Sequence, residues 1–181
     1  AYTSPGCKPA CLDSAGNPVY LETKQAARRA RTNLFFDNRS LFVACLIKEV
    51  QAAERKGRRE NYATAYRLNT TSDIPYEKYK VDYFSKRTSI ADIMHQIAPL
   101  AKLYDYTKYP NRVTNTDFYT LTFSLSENND KAARACLNRG VNVAVVFDTK
   151  RGKPLPDKYT IDGQEFLLID GDVTDYRPED P

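Results

Sequence analysis

Four times along this chain an apolar run passes straight into a cluster of acids, hydroxyls and amides. Residues 62–68, rich in Tyr, Thr and Ala, lead into Asn69, Thr70, Thr71, Ser72 and Asp73. Residues 103–108, 121–127 and 166–172 repeat the change of character. Aromatic and β-branched residues suit a pleated strand, and Pro75 bars the first run from continuing directly into a helix. In parallel α/β sheets, ligand sites form at the carboxyl ends of the strands. The pattern therefore marks where a site should lie before it says what the site does.

Segments with helical spacing lie before and between these runs. Thr23 reads as the N-cap of a helix over residues 24–34, whose apolar stripe is Ala26, Ala27, Ala30 and Leu34. Arg28, Arg29 and Arg31 make its other faces basic. A second helix over residues 40–56 carries Phe42, Leu46, Val50 and Ala53, with Gly57 as its expected stop. Ser89 and Asp92 form a variant capping box ahead of Ile90, Ile93, Met94 and Ile97, and Pro99 closes that helix. Ser126 is expected to cap a helix running to Asn138, with Gly140 closing it. Residues 141–147 form a continuous apolar run, the mark of a strand buried on both faces. Asp162-Gly163 between two short apolar runs predicts a β-hairpin.

Strand, helix and strand in that order make two βαβ units, whose crossovers favour parallel pairing. The connection over residues 107–118 has no helical spacing, so the strand at 119–125 fits either parallel or antiparallel pairing. Strands centred near residues 67, 103, 122, 144 and 167 make at least five, too few for a complete eight-stranded barrel. The expected fold is α/β: a partial (β/α) barrel or an open, mainly parallel sheet, with two N-terminal helices and a C-terminal hairpin. A length of 181 residues fits a single domain over 1–181. Residues 1–20, broken by Pro5, Gly6, Pro9, Gly16 and Pro18, read as a cysteine-bearing loop, and residues 172–181 as an acidic tail.

With 41% hydrophobic and 28% charged residues the chain has a globular composition, which excludes a disordered one. No apolar run reaches the ~20 residues a membrane helix needs, so no membrane association is expected. Residues 1–8 lack a signal peptide's charged head and apolar middle, which leads to the expectation of a cytoplasmic protein. The net charge of +4 permits an acidic partner. The positive charge is concentrated early, in Arg28, Arg29, Arg31, Arg39, Arg55, Lys56, Arg58 and Arg59. With Tyr and Phe nearby, that stretch suits nucleic acid, cations meeting phosphates and rings meeting bases. A solvated helix face is the plainer explanation of the same charges.

Asp73, Asp105, Lys108, Glu127, Asp170 and Asp172 all follow or end strands. On one rim, such carboxylates would suit Mg²⁺, with Lys108 holding a phosphate. Asp73, Lys108, Asp170 and Asp172 are the candidate catalytic residues. Arg67, Asn69, Ser124 and Glu127 are the candidate substrate contacts. The plainer explanation is that Asp and Ser follow strands as turn formers and caps. Cys7 and Cys11, four positions apart in a loop, suit a zinc or iron–sulfur site, a disulfide, or two free thiols. Cys45 and Cys136 fall in helical apolar patterns and are expected in the core, and His95 on a helix surface. No glycine-rich phosphate loop is present.

Several strings recur together as a group. They are Cys7-Lys8-Pro9-Ala10-Cys11-Leu12, Arg67-Leu68-Asn69-Thr70-Thr71-Ser72-Asp73-Ile74, Tyr104-Asp105-Tyr106-Thr107-Lys108, Thr122-Phe123-Ser124-Leu125-Ser126-Glu127 and Ile169-Asp170-Gly171-Asp172. In these the chain resembles, over almost its whole length, a widespread set of bacteriophage proteins related to the family called gene product eighty-eight. The resemblance implies a phage origin, and hence the host cytoplasm, but no particular activity. A fainter analogy is to radical-SAM barrels, whose Cys-x3-Cys-x2-Cys motif is matched here by Cys7, Cys11 and, in place of the third cysteine, Ser14. The functional expectation is an enzyme-like protein acting on a phosphate-bearing substrate, nucleic acid or nucleotide. The alternatives are a non-catalytic module binding nucleic acid or a host protein, and an iron–sulfur protein of radical-SAM-like ancestry.

Overall fold

The computed structural model describes Pro5 and residues 18–112, 116–150 and 153–181. Among the described residues four helices and eight strands follow in the order α1 (Pro18–Asp37), α2 (Arg39–Glu60), β1 (Ala65–Arg67), β2 (Lys80–Tyr83), β3 (Lys86–Ser89), α3 (Ile90–Ile97), β4 (Lys102–Thr107), β5 (Tyr119–Ser124), α4 (Asp130–Leu137), β6 (Val143–Ala144), β7 (Lys158–Ile161) and β8 (Gln164–Leu167). They make one four-stranded sheet, in the order β1-β4-β5-β6, and two two-stranded hairpins, β2-β3 and β7-β8. This is the expected α/β fold, with its two N-terminal helices and C-terminal hairpin. The chain forms two compact units, one within Pro9–Leu103 and the other from Tyr104 to Pro181.

In the first unit α1 begins at Pro18, five residues before Thr23, so Thr23 lies inside the helix rather than capping it. Proline tolerates that first position because its missing N–H has no helical partner there anyway. Ala26 and Ala30 of the expected apolar stripe are exposed. The side chain that anchors α1 is Phe35, fully buried with Val43, Tyr76, Val81, Ile90 and Ile93.

Helix α2 starts where the Asn38 side chain accepts a hydrogen bond from the Leu41 N–H. It runs past Gly57 and stops at Asn61, which takes the left-handed conformation at φ 57°. Gly57 is therefore not the stop the sequence suggested. The glycine is present because a Cβ there would lie 3.0 Å from the Tyr62 carbonyl oxygen and 3.2 Å from the Thr64 methyl. Gly57→Ala is expected to destabilise the protein by about 1–2 kcal/mol, since overpacking outweighs the ~1 kcal/mol gain in helix propensity. A lowered urea midpoint is the check, and a raised one would contradict the crowding. Cys45, expected in the core, is exposed on α2 because its position falls off the single stripe that Val43, Val50 and Gly57 make at seven-residue spacing.

Only residues 65–67 of the expected strand at 62–68 pair as a strand. The polar stretch after Asp73 holds an unforeseen hairpin, with Lys80↔Ser89 and Tyr83↔Lys86 in register. Ser89 caps α3, as expected. Ser89 Oγ accepts from the Asp92 N–H at 3.1 Å and donates to the Asp92 carboxylate at 2.6 Å. His95, expected on the surface, is partly buried.

In the second unit β5 and β6 pair in parallel on either side of α4, Phe123 opposite Val143 and Ser124 opposite Ala144. The expected βαβ unit is therefore formed, but with different boundaries. Helix α4 begins at Asp130, and Ser126 is not its cap. Instead the Asn129 side chain ties the connection, accepting from the Ser126 N–H and donating to the Ser124 carbonyl. Gly140, at φ 73°, closes the helix as expected. The run at 141–147 is not a strand buried on both faces. Only Val143 and Ala144 are strand residues, both partly buried, and Val146 is 90% exposed. Cys136 is buried, as expected. Asp162 and Gly163, at φ 48° and 78°, turn the C-terminal hairpin.

Candidate functional site

The loop after β1 is held by one amide. Asn69, 2% exposed, accepts from the Ser72 hydroxyl and the Ile74 N–H through Oδ1, and its Nδ2 donates to the Ile74 carbonyl. Arg67 Nε donates to the Asn69 carbonyl at 3.1 Å. Two backbone groups and one hydroxyl are thus satisfied by a single side chain, which fixes the arc from Asn69 to Ile74. Asn69, a sequence candidate for substrate contact, serves here to shape the loop. Thr71 is exposed on that arc and Asp73 is partly buried on it.

Positions 25, 28, 29, 32 and 33 fall on one face of α1, by the three- and four-residue spacing of a helix. Their side chains Gln25, Arg28, Arg29, Thr32 and Asn33 line an open depression of about 210 Å³, with Thr71 from the loop. Two guanidiniums, amides and hydroxyls line it, and among the described residues no carboxylate does. Arginine presents a planar array of N–H donors that matches phosphate oxygens. The sequence showed these arginines as a basic face; it did not show that the Asn69 loop would adjoin them.

A second open depression, of about 360 Å³, lies along α2 and is lined by Gln51, Glu54, Arg55, Arg58 and Ile97. Here the acid is already engaged. Glu54 accepts from the Tyr66 hydroxyl at 2.7 Å and from the Thr64 hydroxyl. Burial, and then the hydrogen bond to Glu54, push the Tyr66 phenol up to about 12.

The remaining candidates belong to the second unit. Lys108 follows β4 and is partly buried, and Ser124 ends β5 with its carbonyl bound by Asn129. Glu127, Asp170 and Asp172 are exposed. Asp170 Oδ1 accepts from the Asp172 N–H at 3.0 Å, a local turn of the kind Asp favours. Arg177 donates to the Gly171 carbonyl and pairs with Asp180 at 3.0 Å. Asp105, read from the sequence as an acid on the rim, lies wholly inside. It accepts from the Tyr119 hydroxyl at 2.7 Å, Arg112 donates to that same hydroxyl at 2.8 Å, and Arg112 and Asp105 stand 3.9 Å apart. The pleat explains the correction: Leu103, Asp105 and Thr107 alternate onto the buried face of β4. Arg112, in an irregular connection, offered no periodicity from which this network could be read.

A family model described as Gene product 88 matches residues 1–181. The chain belongs to this family. None of the curated proteins matches it, nor does any of the solved structures. Membership bears out the phage-family resemblance, and the radical-SAM analogy gains no support. For this member of the Gene product 88 family, Cys7 and Cys11 lie outside the described residues. Among the described residues no three acids, histidines or cysteines are grouped to hold a metal ion, and no helix is long and apolar enough to cross a membrane.

Proposed function

We propose that this protein binds a phosphate-bearing substrate, nucleic acid or nucleotide, on the face that α1 shares with the Asn69 loop. The observation that carries the reading is the depression lined by Arg28, Arg29, Gln25, Thr32, Asn33 and Thr71, which presents cations and neutral donors and, among the described residues, no acid. An anionic oxygen there would meet charge-assisted hydrogen bonds from arginine and a hydroxyl on a loop that Asn69 holds in shape. The Arg55 and Arg58 side chains on α2 extend the basic character of the same unit.

Arg28→Ala combined with Arg29→Ala is expected to weaken binding of DNA or RNA and to lower the slope of log affinity against log salt by about 1–2. An unchanged slope would remove the α1 face from the interaction. The catalytic form of this reading rests on Asp73, a carboxylate two residues beyond Thr71 on the same fixed loop. It gives Asp73 the acid–base role, alone or with a Mg²⁺ ion. Loss of Mg²⁺-dependent turnover in Asp73→Asn, with binding kept, is the result expected; full turnover in that variant would leave a binding protein alone.

A further inference from the structure

The two hairpins of this protein solve the same turn differently. Each has a two-residue connection, with Tyr83↔Lys86 and Ile161↔Gln164 as the last pairs, and each holds both central residues at positive φ. That conformation favours Asn-Gly, Asp-Gly and similar pairs, because an L side chain with a Cβ is strained there. The C-terminal hairpin obeys the rule with Asp162-Gly163. The β2-β3 hairpin breaks it with Phe84 at φ 44° and Ser85 at φ 64°. Phe84 is nevertheless 86% exposed, so no core packing offsets the strain.

An apolar ring held in water on a strained turn is costly on both counts, and such outliers point toward function. The base of the hairpin is firm: Val81 is buried in the core and the Ile90 N–H donates to the Tyr79 carbonyl. At the tip the Tyr83 ring meets Phe84 edge-on at 4.6 Å and steadies it. Lys80, Lys86 and Arg87 are exposed along the same two strands, with Asp82 the one acid among them, paired to Arg87 at 3.5 Å. A ring at the tip of a hairpin whose strands carry three cations and one acid suits a ligand that has an aromatic face and an anionic backbone together.

We propose that Phe84 is a stacking platform for a base of single-stranded nucleic acid, with Lys80, Lys86 and Arg87 flanking its phosphates. The inference rests on the phosphate-binding reading above and narrows it to single strands, because bases within a duplex hide the faces on which a ring stacks.

The chain contains no tryptophan, so Phe84→Trp places a lone indole at the tip. Its fluorescence should be quenched by oligothymidylate and by the matching RNA, and left unchanged by inorganic phosphate. The paired change F84N/S85G supplies the favoured turn residues. It should raise the thermal midpoint while weakening oligothymidylate binding by roughly 5- to 150-fold. A merely structural role for Phe84 would move stability and binding in the same direction. Unquenched indole, or unaltered affinity in F84N/S85G while Arg28→Ala/Arg29→Ala still weakens binding, would overturn the stacking role and leave the phosphate site standing. That result is also the one expected if Phe84 contacts a protein instead. A wild-type chain that binds no oligonucleotide would overturn both.

Discussion

Asp105→Ala is expected to cost the unit beginning at Tyr104 about 3–5 kcal/mol, the range for removing one partner of a buried ion pair. Asp105 is 0% and Arg112 2% exposed, so neither charge can turn to solvent when the other is deleted. Tyr119 sits between them, donating to the carboxylate and accepting from the guanidinium. Without Asp105, the phenol loses its acceptor and Arg112 keeps a full charge in a medium of low polarisability. Tyr119→Phe removes only the bridge and should cost less, about 1–3 kcal/mol, the penalty for leaving hydrogen-bonding groups unsatisfied. The double variant Asp105→Asn/Arg112→Met removes both charges together. It should fall short of the summed costs of Asp105→Asn and Arg112→Met made singly by more than ~1 kcal/mol, because residues in one network are not additive. Urea unfolding followed by tyrosine near-ultraviolet dichroism would give these numbers. Single variants that each cost under ~1 kcal/mol and simply add would show that the network holds nothing.

This network also shows where sequence reading stops. Asp105 was legible as an acid at the end of a strand, but which face of β4 it takes depends on a one-residue register that apolar flanks on both sides leave open. Features stabilised locally were legible. The Ser89–Asp92 cap and the Asp162-Gly163 turn each lie within a few residues, and both form. The β2-β3 hairpin went unseen because its turn uses Phe84-Ser85, which no turn preference would select. Ser126 and Gly57 misled for a related reason. A cap-forming serine was displaced by Asn129 three residues on, and a stop-forming glycine was needed for close approach rather than for its conformational freedom.

The site was legible in its parts. The arginines of α1 and the polar loop after β1 were both marked in the sequence, some forty residues apart. Their adjacency comes from tertiary packing, which periodicity does not encode. Asp73, Arg67 and Asn69 belong to the first unit, whereas Lys108, Ser124, Glu127, Asp170 and Asp172 belong to the second. The proposed phosphate site therefore draws only on residues of the first.

Phe35→Ala should be as costly as the loss of Asp105, about 3–5 kcal/mol, and it should reach the binding face as well. Phe35 is the one described residue of α1 that is fully buried. Its ring meets Phe36, Phe42, Tyr76 and Tyr79 edge-on at 5.0–5.6 Å, and the Arg39 guanidinium lies 5.0 Å from its centroid. Edge-to-face pairs add about 0.5–1.5 kcal/mol each beyond the area buried, so truncation empties the centre of an aromatic cluster rather than its margin. Residues 21–34 of α1 are exposed or only partly buried, including Arg28 and Arg29. With that anchor gone, residues 21–34 keep no fully buried side chain to hold them, and the arginines lose their fixed position beside Thr71. Phe35→Leu keeps much of the volume and should recover a good part of both stability and affinity. Hydrogen exchange along α1 separates the two effects. Faster exchange over residues 25–33, together with weaker oligonucleotide binding at temperatures where the protein is still folded, is the expected pair. Undiminished binding in a folded Phe35→Ala variant would mean that the α1 face is not the surface a phosphate meets.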